Sequence, residues 1–112
     1  MKPPTDEVMC KIVAKQYRWV RCSMNSDANN PVIVKREPCD GIKVVSDPRT
    51  DPDAADELLH WVVQNHAMCV LKSPDGWNLC DLVGGFIVLI PISGEPKRTA
   101  ICNLAASVLG VE

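Results

Sequence analysis

Apolar positions between residues 52 and 66 keep to one helical face. Ala55, Leu58, Leu59, Val62, Val63 and His66 fall at i, i+3, i+4, i+7, i+8 and i+11, which is the 3.6-residue period. Thr50 or Asp51 can cap this helix, and Pro52 suits its first turn, where no N–H is needed. Asp53, Asp56 and Glu57 then lie near the positive end of the helix dipole. The pattern changes at residue 67. Residues 67–72 form an apolar run with β-branched Val70, broken by Ser73-Pro74-Asp75-Gly76, where proline presets φ and glycine accepts the exit geometry. Residues 77–83 return, and Gly84-Gly85 makes a two-residue hairpin loop. Residues 86–92 are almost wholly apolar, which predicts a strand that is central or covered on both faces. Pro91 lacks an N–H, so pairing should stop near it or face an open edge. Residues 96–109 place Ile101, Leu104, Ala105 and Val108 on one side of a closing helix, with Gly110 as its stop.

Ahead of this core, Thr5 can cap a helix from Asp6 to about Gln16 with Val8, Met9, Ile12 and Val13 as its apolar face. Lys11, Lys15 and Arg18 run along its flank. From residue 17 the chain alternates, with Tyr17, Trp19 and Arg21 on one side and Arg18, Val20 and Cys22 on the other, which fits a strand or one more helical turn. Residues 25–50 are punctuated by Asn, Asp and Pro around two short apolar pieces, 32–34 and 42–45, each suited to an edge strand. A stretch this long without firm pattern reads as a functional loop or a mobile excursion. The prediction is an α+β fold in a single small domain, residues 1–112. In it an N-terminal helix and possible strand (1–24) and a loop-rich segment (25–50) precede an αβββα core (51–112) whose antiparallel meander sheet packs against helices.

Composition narrows the function more by exclusion than by indication. No apolar run approaches the roughly 20 residues that span a bilayer, so no membrane partner is expected. Met1-Lys2-Pro3-Pro4 has no signal-peptide core, and the expected location is the cytoplasm. The six cysteines, at 10, 22, 39, 69, 80 and 102, include no CxxC pair and are expected as reduced thiols. Cys10, Cys69, Cys80 and Cys102 lie inside predicted elements, where cysteine packs as a small hydrophobe. His60 and His66 stand about 120° apart around their helix, not on one face as i, i+4 metal ligands would. The expected roles are a solvated His60 and a His66 that closes the apolar stripe. Phosphate-loop, dinucleotide, nucleophile-elbow and HExxH patterns are absent, and no histidine neighbours Cys22 or Cys39 in sequence. No catalytic residue, cofactor or metal is therefore expected.

Charge is lopsided. Residues 1–49 hold nine Lys or Arg against six Asp or Glu, and residues 50–112 hold three against eight. The order helix, three-stranded meander, helix resembles the double-stranded RNA-binding domain, and Lys97-Arg98-x-Ala100 with Ala105, Ala106 and Leu109 is similar to that family's last-helix signature. Against that alternative stand the acidic balance of this half and the lack of a histidine in the turn at residues 73–76. The candidate partner-binding residues are Lys11, Lys15, Arg18 and Trp19, which could grip an anionic strand, together with Lys97 and Arg98.

A second resemblance covers nearly the whole chain. Its marks are Cys10-Lys11-Ile12-Val13-Ala14-Lys15 leading into Arg18-Trp19-Val20-Arg21-Cys22, then a variable proline-rich segment and Thr50-Asp51-x-x-Ala54-Ala55. Trp77-Asn78-Leu79-Cys80 and Thr99-Ala100-Ile101-Cys102-Asn103-Leu104-Ala105-Ala106 complete it. Together they resemble the phage ABA sandwich domain family, small proteins of bacteriophages and prophages, from which the apolar residues 86–92 and Pro91 are departures. The resemblance implies a non-enzymatic phage accessory protein in a bacterial host cytoplasm that binds a host or phage protein, with nucleic acid as the alternative partner. A homodimer through an open sheet edge is a further expectation.

Overall fold

A computed structural model describes residues 2–17, 21–25, 32–37, 41–66, 68–81 and 87–111. In chain order the elements are α1 (Asp6–Tyr17), β1 (Arg21–Asn25), β2 (Val32–Glu37), β3 (Gly41–Ser46), α2 (Pro52–Asn65), β4 (Met68–Ser73), β5 (Gly76–Asp81), β6 (Ile87–Pro91) and α3 (Gly94–Leu109). The class is α+β, and residues 52–109 form the expected αβββα unit.

Local bonds fix the starts of α1 and α2 and the end of α3. Thr5 caps α1, its Oγ1 accepting from the Val8 N–H at 3.4 Å. Asp51 caps α2, its carboxylate accepting from the Asp53 N–H at 3.0 Å with Pro52 next in the first turn. At the end of α3, Gly110 takes a left-handed φ of 68°; its N–H bonds Ser107 O at 3.3 Å, and the Val111 N–H bonds Ala106 O at 3.0 Å. That pair of bonds is the Schellman ending, which satisfies carbonyls the helix would otherwise leave bare.

The strands form two antiparallel meanders, β1-β2-β3 and β4-β5-β6. β1 falls on the alternating stretch read as a strand or one more helical turn, and β2 and β3 lie in the stretch expected to be loop-rich. β3 is an edge, as suited to 42–45, but the middle strand is β2, so the segment at 32–34 is not an edge. Backbone pairing supplied order where side-chain pattern gave little sign of it. In the second sheet β6 is an edge strand, and Pro91 ends it opposite Gly76, which agrees with a residue unable to donate to a ladder. The expectation that residues 86–92 are central or covered on both faces is overturned. Ile90 is fully buried, while Ile87 is 70% exposed and Leu89 46%. One face of β6 packs inward, and its apolar outer face stands in water. The Gly84-Gly85 loop lies outside the described residues.

The core gathers around α3. Met9, Ile12 and Val13 of α1, Ala55, Leu58 and Val62 of α2, and Met68, Leu79 and Ile90 of the second sheet are buried against it. α3 contacts α1, α2 and β6, and it buries Thr99, Ala100, Ile101, Cys102, Leu104, Ala105 and Ala106. Residues 99–102 and 104–106 point to all sides of a helix, so α3 is a central rod and not a one-faced lid. Alanines at 100, 105 and 106 let its neighbours approach closely.

One buried charge holds the chain's separated parts together. Asp47, in the turn between β3 and α2, is 1% exposed. Its carboxylate accepts from the Arg49 N–H at 2.9 Å and from the Arg49 guanidinium at 2.7 to 3.1 Å. The guanidinium also donates to Pro4 O at 3.0 Å and to Asp6 at 2.7 Å, while Arg98 Nε donates to Arg49 O at 3.2 Å. The segment before α1, the β3–α2 turn and the start of α3 thus meet at Asp47 and Arg49. Burial alone would lower the Arg49 pKa, but its bonds to Asp47 and Asp6 outweigh burial and raise it.

Candidate functional site

Strict alternation in the second sheet assigns each side chain to a face. Met68, Leu79 and Ile90 turn towards the helices and are buried. The opposite face carries three rows across the strands, Cys69–Cys80–Ile87, Leu71–Asn78–Leu89 and Ser73–Gly76–Pro91. Leu71 is 55% exposed, so three apolar side chains, Leu71, Ile87 and Leu89, lie open on this face around the polar Asn78. Together the three leave on the order of 300 Å2 of apolar side chain in water, the scale at which a patch on a monomer commonly has a use. At the free edge of β6 a cleft of about 320 Å3 continues the surface, lined by Leu89, Pro91, Glu95, Pro96, Thr99 and Ala100.

A second concavity lies on the helix side of the same sheet. α2 stops short of covering Val70, leaving a groove of about 370 Å3 floored by Leu59, Val63, Val70 and Trp77. Lys97 closes one end. Its Nζ lies 2.9 Å from Asp56 Oδ1 and 5.1 Å from the centroid of the Trp77 ring, an ion pair and a cation–π contact on one ammonium. His60 stands exposed at the rim. His66 is half-buried, its ring edge-on to Trp61 at 5.7 Å, as expected of a residue closing the apolar stripe.

The residues singled out from sequence are placed as follows. Lys11 and Lys15 are exposed on α1, and Lys11 Nζ pairs at 3.7 Å with Glu7 one turn earlier. Arg18 and Trp19 lie outside the described residues. Lys97 and Arg98 turn into the fold in different directions, the first towards Asp56 and Trp77 and the second towards Arg49 O. They therefore do not stand as paired cations facing outward. Among the described residues no group of three His, Cys, Asp or Glu is disposed to hold a metal ion. No described helix is long and apolar enough to cross a membrane.

Of the described cysteines, Cys102 is fully buried and Cys69 and Cys80 are half-buried free thiols. Burial is the main cause that pushes the Cys102 thiol up to about 12, with Asp47 adding to it and Arg49 and Arg98 opposing. A thiol held protonated in this way is no nucleophile.

Comparison with known protein families, with curated proteins and with solved structures gives no match. The surface that geometry brings forward was not among the residues picked from sequence. Ile87, Leu89 and Leu71 look like core residues in a one-dimensional pattern. The signal that could have found their exposure was Pro91, which marks β6 as an edge and leaves fewer elements to cover its second face.

Proposed function

We propose that this protein is a non-enzymatic binding module that takes a protein partner on the open face of β4-β5-β6. The observation that carries the reading is the exposure of Leu71, Ile87 and Leu89 on one sheet face. Burying roughly 300 Å2 of such surface is worth about 8 kcal/mol before the costs of association. That suffices for the apolar centre of an interface whose standard size is about 800 Å2 per partner, the remainder coming from a polar rim. A nucleic acid would call for cations on the same surface, and the outer rows contain none. The resemblance to phage ABA sandwich domains supplies the setting: a phage or prophage accessory protein in a bacterial cytoplasm that acts by occupying a host or phage protein, such as one of host machinery or defence.

Paired variants test it. Leu71→Glu with Ile87→Glu should abolish recovery of a specific protein from bacterial lysate while leaving the thermal midpoint within a few degrees of the parent. Lys11→Glu with Lys15→Glu should leave recovery intact. If the lysine pair loses the partner and the apolar pair retains it, the open sheet face is not the binding surface.

A further inference from the structure

We propose that Cys69 and Cys80 are a reversible disulfide pair, closed by exchange with a small-molecule disulfide of the glutathione type. Three observations meet here. The register sets Cys69 directly opposite Cys80 on neighbouring antiparallel strands. Both are free thiols. Both lie on the open face of the sheet, beside exposed Leu71 and Ile87, where a small disulfide can approach.

Directly opposed residues of an antiparallel pair have Cα atoms about 4.5 to 5.5 Å apart, inside the range of about 4.4 to 6.8 Å that a disulfide spans. Their Cβ atoms, at about 4.5 to 5.5 Å, must close by about 1 Å. The bond can therefore form without unpairing the strands, but under a tension that makes it easy to reduce again. This sets the pair apart from a structural staple, and from Cys102, whose buried thiol no oxidant reaches.

The chemistry balances in two exchanges. One cysteine thiolate attacks a sulfur of the oxidised reagent, whose S–S bond breaks, leaving a mixed disulfide and one reduced thiol. The opposing thiolate then attacks the protein sulfur of that mixed disulfide and expels the second reagent thiol. The protein loses two protons and two electrons, and the reagent gains both. A bridge here ties β4 to β5 in the middle of the apolar face and alters its outline. The proposal stands whether or not that face binds a partner.

The full-length chain tests it directly. Reduced protein is equilibrated with oxidised and reduced glutathione at a series of ratios, quenched in acid, alkylated and digested with trypsin. Cleavage after Arg49, Lys72 and Lys97 puts Cys69 in one peptide and Cys80 in the next, each with no other cysteine. The expected result is a linked 50–72/73–97 peptide that rises with the oxidised fraction and returns to two alkylated peptides when reduced glutathione is restored. In Cys69→Ser the exchange should halt at a glutathione adduct on Cys80. The proposal is overturned if both cysteines stay alkylatable at every ratio, if each stops at a separate adduct in the parent chain, or if either pairs instead with Cys10, Cys22, Cys39 or Cys102.

Discussion

Asp47 and Arg49 show how two residues can hold more of a fold than their number suggests. The carboxylate is fully out of water and receives the Arg49 N–H together with the guanidinium. Removing the guanidinium would leave a buried charge with one backbone donor, and breaking such a pair typically costs about 3 to 5 kcal/mol. Arg49→Ala should therefore lower the urea midpoint by an amount equivalent to at least about 3 kcal/mol. Asp6→Asn removes the exposed arm of the same network, Asp6 being 68% exposed, and should cost less than about 1 kcal/mol. Equal losses in the two variants would mean that the buried arm holds no more than the surface one. From the sequence, Asp47-Pro48-Arg49-Thr50 could be read as a turn, with aspartate bonding the backbone two residues on. That the same carboxylate would be sealed from water could not be read, because the Arg49 that pairs with it is itself held by residues 4 and 98, from opposite ends of the chain.

At the scale of the element, β5 and β6 depend on one position without a side chain. Gly76 has φ of +154°, and a Cβ built there would sit 2.0 Å from the Ile90 carbonyl oxygen. The obstacle is backbone, so it cannot rotate aside. Gly76→Ala should separate the end of β5 from β6 and cost at least about 2 to 3 kcal/mol, combining overpacking with a disfavoured backbone state. Gly110→Ala, with φ of +68° but open space around it, should cost only about 1 kcal/mol. Chemical denaturation of the two variants measures the difference. The same sheet shows how far the pattern of the chain could be read. The helix at 52–65, its cap and the turn at residues 73–76 were legible because period, capping residue and turn chemistry agree locally. The exposure of β6 was not, since an apolar residue carries the same letter whether a helix covers it or water does. The first sheet was legible only as separate pieces: its strands are short and mixed, and what joins them is mutual pairing at registers that no single strand displays.

Across the whole molecule, burial of ionisable groups sets an alkaline limit. Cys102 is held near 12 in the folded chain against an ordinary value of 9.0. Below pH 9 both states carry the proton, and the contribution to stability is complete. Between 9 and 12 the unfolded chain ionises first, so stability falls by up to about 1.4 kcal/mol per pH unit from this group and is lost by the time the folded thiol titrates. Tyr17 acts in the same direction, raised mainly by burial and further by Glu57, to which its hydroxyl donates at 3.2 Å. Urea midpoints should hold steady up to pH 9 and fall between pH 9 and 11, with a shallower fall in Cys102→Ala. A slope unchanged by that substitution would assign the alkaline loss to other groups.

The enclosure of α3 has a consequence for how this protein can vary. A helix lying on a surface tolerates change at two of every three or four positions, and its history shows as a rhythm. From Ile101 to Ala105, Asn103 aside, α3 leaves little room for drift: a larger residue collides with α1, α2 or β6, and a polar one lacks a partner, whereas Thr99 and Ala100 border the cleft beside β6. A saturation library across this helix should return an intolerant block from Ile101 to Ala105, relieved at Asn103 and again at Ser107, in place of the periodic tolerance expected of α2, where only Ala55, Leu58 and Val62 are buried.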